Sequence, residues 1–280
     1  MSFSELFDET LDINSTGNYI LSIQANLDGF YFCLLDTLRN KFVLFRSYEP
    51  EEGKLFTLDE IKKICSDDDF LLRQYSSVKI VVATPLSTLV PSQLYNPAGK
   101  DDYFKFNHFE TDGETIHANR LQLPDAFLLF SVNSELTAFL SERFGGAEPA
   151  HHLKPLLSQI MSRREASSGT HLHLHVERSF INVILITDGE LKLCNSYPYR
   201  NTSDLMYYLL YVAKKAGLQG STTLYVSGAT LRFDEVWSAL SEYIRNIKYA
   251  LPEGKYLYSY LFNEELLHRH FNLFSLVTCA

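Results

Sequence analysis

Three histidines at alternate positions are the most conspicuous candidates for chemistry in the sequence. His171, His173 and His175 lie in the segment THLHLHVERSF, and an acid and a base, Glu177 and Arg178, follow directly. Histidine is a common metal ligand and a common acid–base catalyst, because its pKa lies near neutrality. The alternation is typical of a β-strand, in which side chains two residues apart point to the same face. The segment therefore places three imidazoles along one face of a strand.

Strand geometry limits what these histidines can bind. Neighbouring side chains on one face are roughly 6.5–7 Å apart, so three of them span about 13 Å. Zinc holds each histidine nitrogen at about 2.1 Å, so a straight strand cannot offer all three to one ion. Two could bind one zinc with ligands from elsewhere. Conceivable further donors are His151, His152, His268 and His270. We predict no metal and expect the intervening apolar residues to face the core: Leu172, Leu174 and Val176.

Nucleophilic catalysis finds little support in the sequence. It requires a Ser or Cys beside a His and a carboxylate, and no Gly-x-Ser-x-Gly turn is present. The segment Val226-Ser-Gly-Ala229 resembles half of such a turn. We interpret it instead as a strand-to-helix turn in which Gly228 permits close packing.

The bulk composition describes a globular chain with ample core material. Its 280 residues are 46% hydrophobic and 21% charged, and 34 acidic residues against 25 basic ones give a net charge of −9. Nucleic-acid binding draws its affinity from Lys and Arg on phosphates, so the acidic balance disfavours a nucleic-acid partner. The length suits one large domain or two of ordinary size.

The cysteines and the N-terminal segment predict a cytoplasmic protein. Cys33, Cys65, Cys194 and Cys279 lie far apart, without the CxxC spacing of a zinc site. The first residues are acidic and lack the basic and apolar runs of a signal peptide. No apolar stretch approaches the roughly 18 residues that a membrane-spanning helix needs, so we expect no membrane span.

Hydrophobic periodicity predicts the elements that position the candidate residues. In the first half, the patterns predict strands, a helix from the capping box Thr57-Leu-Asp-Glu60 and a short helix over Pro85–Tyr95. The predicted strands there are Tyr19–Ala25, Phe30–Leu35, Lys41–Ser47 and Val78–Ala83. A middle region adds a strand at Leu128–Val132 and helices at Ser134–Phe144 and Leu153–Glu165.

The second half repeats this order. Its predicted strands are His171–Val176, Phe180–Thr187, Glu190–Ser196 and Thr222–Val226, and Asp188-Gly189 is a hairpin turn. Its predicted helices are Asn201–Ala216 and Leu231–Ile247. The C-terminal region adds a short helix near Glu264–His270 and a last strand over Leu273–Thr278. A polar hinge at Arg164–Gly169 divides the chain into residues 1–166 and 167–280.

Two successive copies of β-β-β-α-β-α resemble the actin-like ATPase fold, shared by actin, heat-shock chaperones and sugar kinases. Details such as VVATPLSTLVP (Val81–Pro91) and FLSERF (Phe139–Phe144) also resemble an uncharacterised bacterial family assigned that fold. The resemblance implies an α/β architecture of two ribonuclease-H-like domains in tandem, each a mixed sheet flanked by helices. The repetition at a distance of about 150 residues itself indicates a domain duplication.

In the actin-like fold the two domains clamp a nucleotide. The resemblance implies an Asp-x-Gly turn in the first hairpin of each domain, where backbone amides approach phosphates and Asp holds Mg²⁺ or water. It further implies a Gly-rich turn after a later strand of the second domain. Glycine suits these turns because it lets the backbone come close to an anion.

The matching turn of the first domain carries other residues. Asn26 stands at the Asp position and Asp28 at a Gly position, followed by Gly29. Asp28 would aim a carboxylate at the phosphates. Like charges about 4 Å apart repel by roughly 4 kcal/mol at a surface-like dielectric constant.

The second domain departs from the pattern in the same direction. His175 replaces the acid, Glu177 replaces a glycine and Arg178 follows. In the later turn, Ser227 and Gly228 keep one glycine of a Gly-Gly pair. These positions, with those of the first hairpin, are the candidate residues of an interdomain cleft.

The substitutions favour a non-catalytic, actin-like binding or scaffolding module with a degenerate nucleotide site, no catalytic residues and no cofactor. Actin-like scaffolds of type II secretion and type IV pilus assembly grip a partner peptide, so by fold-level analogy we expect a protein partner. The alternative is a divergent ATP-dependent phosphotransferase or ATPase that uses the cleft with Mg²⁺. A metal hydrolase using two strand histidines is a third hypothesis. No oligomeric state follows from the sequence.

Overall fold

The computed structural model describes residues 1–109, 111–218, 222–254 and 256–279, with the side chains of residues 164 and 165 left aside. The strands in this part of the chain are β1 (Ser2–Phe7), β2 (Tyr19–Asn26), β3 (Gly29–Asp36), β4 (Lys41–Glu49), β5 (Ser77–Val82), β6 (Ser87–Pro91), β7 (Glu114–Leu121), β8 (Ala126–Asn133), β9 (Pro149–His151), β10 (Thr170–Val176), β11 (Phe180–Thr187), β12 (Glu190–Pro198), β13 (Leu224–Gly228), β14 (Ile247–Tyr249) and β15 (Leu257–Tyr258). The helices are α1 (Leu58–Asp67), α2 (Lys100–Lys105), α3 (Ser134–Arg143), α4 (Leu153–Met161), α5 (Thr202–Lys215), α6 (Glu235–Tyr243), α7 (Glu264–Arg269) and α8 (Phe271–Ser275). None of the described helices is long and apolar enough to cross a membrane.

The first sheet has the strand order β1-β4-β3-β2-β5-β9, and β15 also pairs with β4. Its central strand β3 alternates between two cores. Phe32 and Leu34 contribute to a cluster with α1 and α3, whereas Cys33 and Leu35 contribute to a cluster with α7 and α8. Because both faces are covered, the strand is an almost continuous apolar run.

The second sheet has the order β12-β11-β10-β13-β14. Its first four strands repeat the arrangement β4-β3-β2-β5, with two antiparallel pairs followed by a parallel pair. Leu172, Leu174 and Val176 pack with α5 and α6 as expected. Helix α4 covers the opposite face, where Leu157 and Ile160 join Ile184 in a cluster that also includes residues of β7 and β8.

A third sheet, β6-β8-β7, is inserted between β5 and β9. The predicted helix over Pro85–Tyr95 is wrong, because residues 87–91 form β6 and pair antiparallel with β8. The segment STLVP is rich in β-branched residues and finds a partner strand that a local pattern does not reveal. Strands β1 and β7 were also not predicted.

The C-terminal segment returns to the first sheet. The predicted last strand over Leu273–Thr278 is wrong, because residues 271–275 form α8 and residues 276–278 a 3₁₀ turn. This apolar run is buried on all sides, and periodicity cannot separate a buried strand from a buried helix. Phe262 and Phe274 pack on Phe42 and Phe45 of β4. The predicted second domain, residues 167–280, thus contributes its last strand and helices to the first sheet.

Two predicted helices are shorter than expected. Helix α6 begins only after Asp234, whose carboxylate accepts the N–H of Trp237, and Ile247 belongs to β14. The region predicted as one helix, Leu231–Ile247, therefore consists of a loop, helix α6 and the start of strand β14. Helix α4 ends at Met161 rather than at residue 165. By contrast, the capping box of Thr57 and Glu60 is present as predicted.

Removal of the Phe274 ring should destabilise the fold strongly. Phe274 is 1% exposed and its ring lies 5.1 Å from that of Phe42, so Phe274→Ala leaves a cavity and should lower the free energy of unfolding by about 3–5 kcal/mol. Phe109→Ala is the matched control, because Phe109 is 95% exposed, and it should change stability by less than about 0.5 kcal/mol. Urea unfolding measures both. Equal effects would contradict the packing of α8 on the first sheet.

Candidate functional site

The two sheets face a small polar cleft, to which four parts of the chain contribute. These are the β2–β3 turn, the β10–β11 turn, the end of β13 and the junction of α7 with α8. The cleft encloses about 60 Å³. Its lining residues are Gln24, Asn26, Asp28, Tyr31, His175, Val176, Glu177, Arg178, Gly228, Ala229, Arg269, His270 and Asn272.

The structure brings most of the candidate residues together. Those that line the cleft are Asn26, Asp28, His175, Glu177, Arg178 and Gly228. Ser227 lies behind His175 and is 2% exposed. Gly29 lies beneath Tyr31, where a Cβ atom would come within 2.1 Å of the Tyr31 hydroxyl oxygen. The absence of a side chain at Gly29 lets the tyrosine ring fold over the turn and into the cleft.

Only glycine fits at position 228, because two backbone segments approach each other very closely there. Its φ of +93° lies in the left-handed region, which L-residues other than glycine rarely adopt. A Cβ atom at this position would lie 2.1 Å from the Val176 carbonyl oxygen. That oxygen accepts the Ala229 N–H at 2.7 Å. Gly228 therefore serves close packing between the ends of β10 and β13.

His175 is the centre of a buried hydrogen-bond network. Its Nδ1 lies 2.7 Å from the Ser227 hydroxyl, and its Nε2 lies 3.0 Å from Glu177 Oε1 and 2.9 Å from Asn272 Nδ2. Burial lowers the pKa of His175 to about 3, so the ring is neutral near pH 7. An Nε2 that accepts from the Asn272 amide leaves Nδ1–H to donate to Ser227.

The two carboxyl groups of the cleft are shifted towards their neutral forms. Burial and the neighbouring Glu177 carboxylate raise the pKa of Asp28 from its ordinary value of 3.8 to about 6, and the Arg178 guanidinium partly opposes this. Burial raises the pKa of Glu177 as well. Because the His175 ring is neutral near pH 7, its contact with Glu177 is not an ion pair.

The remaining turn residues are tied down within the protein. The Asn26 Oδ1 atom accepts the Ala83 N–H at 2.8 Å, which joins the first turn to the end of β5. Arg178 Nη1 lies 3.4 Å from the Asp28 carbonyl oxygen and spans the cleft between the two hairpin turns. Asn26 thus bonds to the backbone at the position where the actin-like pattern places an Asp that holds Mg²⁺ or water.

Sequence reasoning missed several residues of the cleft. They are Gln24, Tyr31, Arg269, His270 and Asn272. Gln24 and Tyr31 flank the first hairpin turn, and their side-chain period of two could have pointed to them. The α7–α8 residues carried no such indication, because 97 positions separate Asn272 from His175.

The other histidines have separate partners. His173 stacks on Tyr225, His152 Nε2 lies 2.7 Å from Asn182 Oδ1, and His268 Nε2 donates to the Thr230 carbonyl oxygen at 2.6 Å. Within the described ranges, no group of three or more His, Cys, Asp or Glu residues is placed to hold a metal ion.

Comparison with known protein families finds one that matches most of the chain. The model of a family described as "Protein of unknown function (DUF3822)" matches residues 8–247. The chain belongs to this family. No curated protein matches the DUF3822 chain.

Solved structures agree with the fold expected from the resemblance. The DUF3822 chain is similar to a Bacteroides thetaiotaomicron protein "with actin-like ATPase fold and unknown function", with a TM-score of 0.78, 21% identity, and coverage of 97% of this chain and 100% of that one. It is also similar to the PilM–PilN type IV pilus biogenesis complex, with a TM-score of 0.55, 11% identity, and coverage of 92% and 97%. At these identities the likeness shows the fold alone, and that fold is actin-like.

Asp28 should make the stability of the DUF3822 chain depend on pH. Its pKa rises from 3.8 to about 6 on folding, so the folded protein binds more protons in this range and stability falls as the pH rises from about 4 to 6. Asp28→Asn should therefore be more stable than the wild type at pH 7.5, by about 1–3 kcal/mol. The difference should vanish below about pH 4. Unfolding by urea across this range measures it.

The control for this experiment is Asp112→Asn, since Asp112 is an exposed carboxylate outside the cleft. It should leave the pH profile unchanged. Parallel profiles for the wild type and Asp28→Asn would contradict the burial of Asp28 beside Glu177.

Gly228→Ala should destabilise the chain through the Val176 contact. Gly145 is the matched control, because its φ is also positive, at +65°, but no atom lies within 4 Å of an added Cβ. Gly145→Ala should cost about 1–2 kcal/mol for its backbone conformation alone. Gly228→Ala should cost several kcal/mol, since β10 and β13 must also separate. Equal losses of unfolding free energy would show that the two backbones are not so close.

Proposed function

We propose that the chain is a non-catalytic binding or scaffolding module of two ribonuclease-H-like domains in tandem, and that its partner is a protein. The observation that carries the proposal is the state of the cleft, which its own side chains fill. The remaining space of about 60 Å³ is far below the roughly 300–1,000 Å³ of pockets that hold small molecules and cofactors.

Three backbone amides near the cleft are already engaged. An anion site needs free N–H groups that converge on the ligand. Here the Glu177 N–H donates to the Phe180 carbonyl oxygen, and the Ala229 and Thr230 N–H groups donate to those of Val176 and Gly228. These turns therefore bond to the protein where an actin-like ATPase would bond to phosphate.

The charges of the cleft also disfavour a polyphosphate. Above about pH 6 the Asp28 carboxylate is ionised and would repel phosphate oxygens. The positive charge of Arg269 is paired with the Glu49 carboxylate, at an Nη2–Oε1 distance of 2.8 Å. We therefore propose no nucleotide and no metal as a resident cofactor.

The choice of a protein partner rests on the fold. The PilM–PilN structure, which has this fold, is described as a complex for type IV pilus biogenesis. A fold that is retained while its ligand site is filled can still serve as a rigid surface for recognition. All four cysteines are free thiols, which suits the cytoplasmic location that we propose.

Nucleotide binding provides the test of this proposal. With millimolar ATP or ADP and Mg²⁺ we expect no saturable change in melting temperature and no binding heat. A ligand at 100 times its Kd would stabilise the fold by about 2.7 kcal/mol, so a bound nucleotide would be seen. Differential scanning calorimetry and titration calorimetry measure the two quantities.

Two charge-reversal variants locate any binding that is found. Arg178→Glu changes the mouth of the cleft, and Arg200→Glu changes an exposed arginine outside its lining. Stabilisation by MgATP that Arg178→Glu abolishes and Arg200→Glu preserves would replace the scaffold proposal with the divergent phosphotransferase or ATPase.

A further inference from the structure

A second, larger cavity lies between the third sheet and the second sheet. It measures about 370 Å³, and we call it the edge groove. Its lining residues are Pro85, Ser87, Thr88, Leu89, Asn107, His108, Cys194, Asn195 and Ser196. Residues 87–89 belong to β6 and residues 194–196 to β12, and each of these strands ends its sheet. The groove therefore separates two sheet edges.

The hydrogen bonds of β6 determine which backbone groups face the groove. Ser131 N–H donates to the Leu86 carbonyl oxygen, and Ser92 N–H donates to that of Asp125. In an antiparallel pair, hydrogen-bonded residues alternate with residues whose N–H and C=O point away from the partner. The even-numbered residues of β6 therefore bond to β8. Ser87, Leu89 and Pro91 direct their backbone groups outwards.

Two contacts agree with this assignment. The His108 ring Nε2 lies 3.0 Å from the Ser87 carbonyl oxygen, on the outer side of β6. Pro91 has no N–H and stands at an outward position, where an edge strand loses no ladder bond to proline. Since His108 takes the Ser87 carbonyl, Leu89 retains the outward N–H and C=O pair.

The same reasoning applies to β12. Tyr199 N–H donates to the Ser179 carbonyl oxygen, so Tyr197 and Asn195 form hydrogen-bonded pairs with β11. Cys194 and Ser196 then direct their N–H and C=O groups away from β11. The lining of the groove thus presents outward backbone groups from both of its walls.

Among the described residues, the groove is lined without acidic residues, lysine or arginine. No Lys, Arg, Asp or Glu is among its described lining residues, although the protein carries a net charge of −9. Leu89 and Cys194 form an apolar floor, since both pack against the cluster between the sheets. Such a lining matches neither a phosphate nor a charged metabolite. It is complementary in charge to an uncharged stretch of polypeptide.

Two exposed aromatic rings lie beside the groove. Phe106 and Phe109 are 89% and 95% exposed, and they bracket Asn107 and His108 in sequence. Asn107 bonds to Thr88 and His108 to Ser87, so this loop is attached to β6. Exposed aromatic residues next to a groove are typical anchors of protein recognition.

From these observations we propose that the edge groove binds an extended, uncharged peptide segment of a partner protein as an added β-strand. The segment bonds to Leu89 on one side and to Cys194 and Ser196 on the other, and its apolar side chains contact the floor and the two phenylalanines. This is strand addition, in which main-chain bonds give affinity and side-chain contacts give specificity. The inference rests on the proposed protein-binding function and gives it a location.

The test uses a random library of twelve-residue peptides displayed on phage, selected on the chain of 280 residues. Enriched peptides are synthesised with a fluorescent label, and their Kd is measured by anisotropy. We expect extended, uncharged sequences with alternating apolar residues. Hydrogen exchange should show that they protect the amides of Leu89, Cys194 and Ser196.

Two variants of Leu89 separate the backbone bond from the side chain. Leu89→Pro removes the outward N–H without removing a bond to β8 and should weaken peptide binding at least tenfold. Leu89→Val keeps the N–H and should bind within threefold of the wild type. A second pair avoids proline: Ser87→Trp adds bulk to the groove on the same face of β6 as Leu89 and should abolish binding, whereas Lys192→Trp, at an exposed residue outside the lining, should not.

Several outcomes would overturn the proposal. They are the absence of any enriched peptide with a Kd below about 100 µM, equal binding by all four variants, and amide protection outside the groove. Concentration-dependent dimerisation that protects these same amides would assign the groove to a second copy instead. If MgATP does not stabilise the protein and no peptide is selected, the proposed role of the groove is refuted. The proposal of a non-catalytic module then still stands.

Discussion

The cost of burying charge governs the interface between the two sheets. His175, Glu177 and Asn272 meet in the interior, where an uncompensated ion would cost several kcal/mol. Burial lowers the pKa of the His175 imidazole, which is neutral near pH 7, and raises the pKa of the Glu177 carboxyl group. A cleft built in this way is nearly filled by its own side chains. It is the reverse of a phosphate site, which gathers exposed donors and positive charge around water and a ligand.

The same constraint explains why residues from distant parts of the chain converge here. The α7–α8 junction supplies Asn272 to the ring of His175 and His268 to the carbonyl oxygen of Thr230. These bonds cross from the C-terminal segment to the second sheet. The segment also packs on the first sheet, so it connects both halves. The relative position of the two sheets is therefore set by specific polar contacts as well as by the apolar cluster around α4.

Local pattern was sufficient where local physics decides the structure. The hairpins around Asn26–Gly29 and Asp188-Gly189 follow from turn chemistry and alternation, and the Thr57 capping box from its own four residues. Repetition of the strand order then indicated the fold and the turns that face the cleft. Pattern failed at β6 and α8, where the partner strand or the surrounding core determines the conformation. It also could not assign Asn272 or His270, because no local spacing relates them to His175.

The return of the C-terminal segment has a consequence for synthesis on the ribosome. Lys79 of β5 donates to the Cys279 carbonyl oxygen, 200 positions further along, and β15 pairs with β4. One face of the first sheet is thus covered by residues 257–279, which are synthesised after the other strands of that sheet. Until then Cys33, Leu35 and Phe42 lack their cover. While it emerges from the ribosome, the first half of the chain therefore exposes an apolar face. Chaperones bind such surfaces.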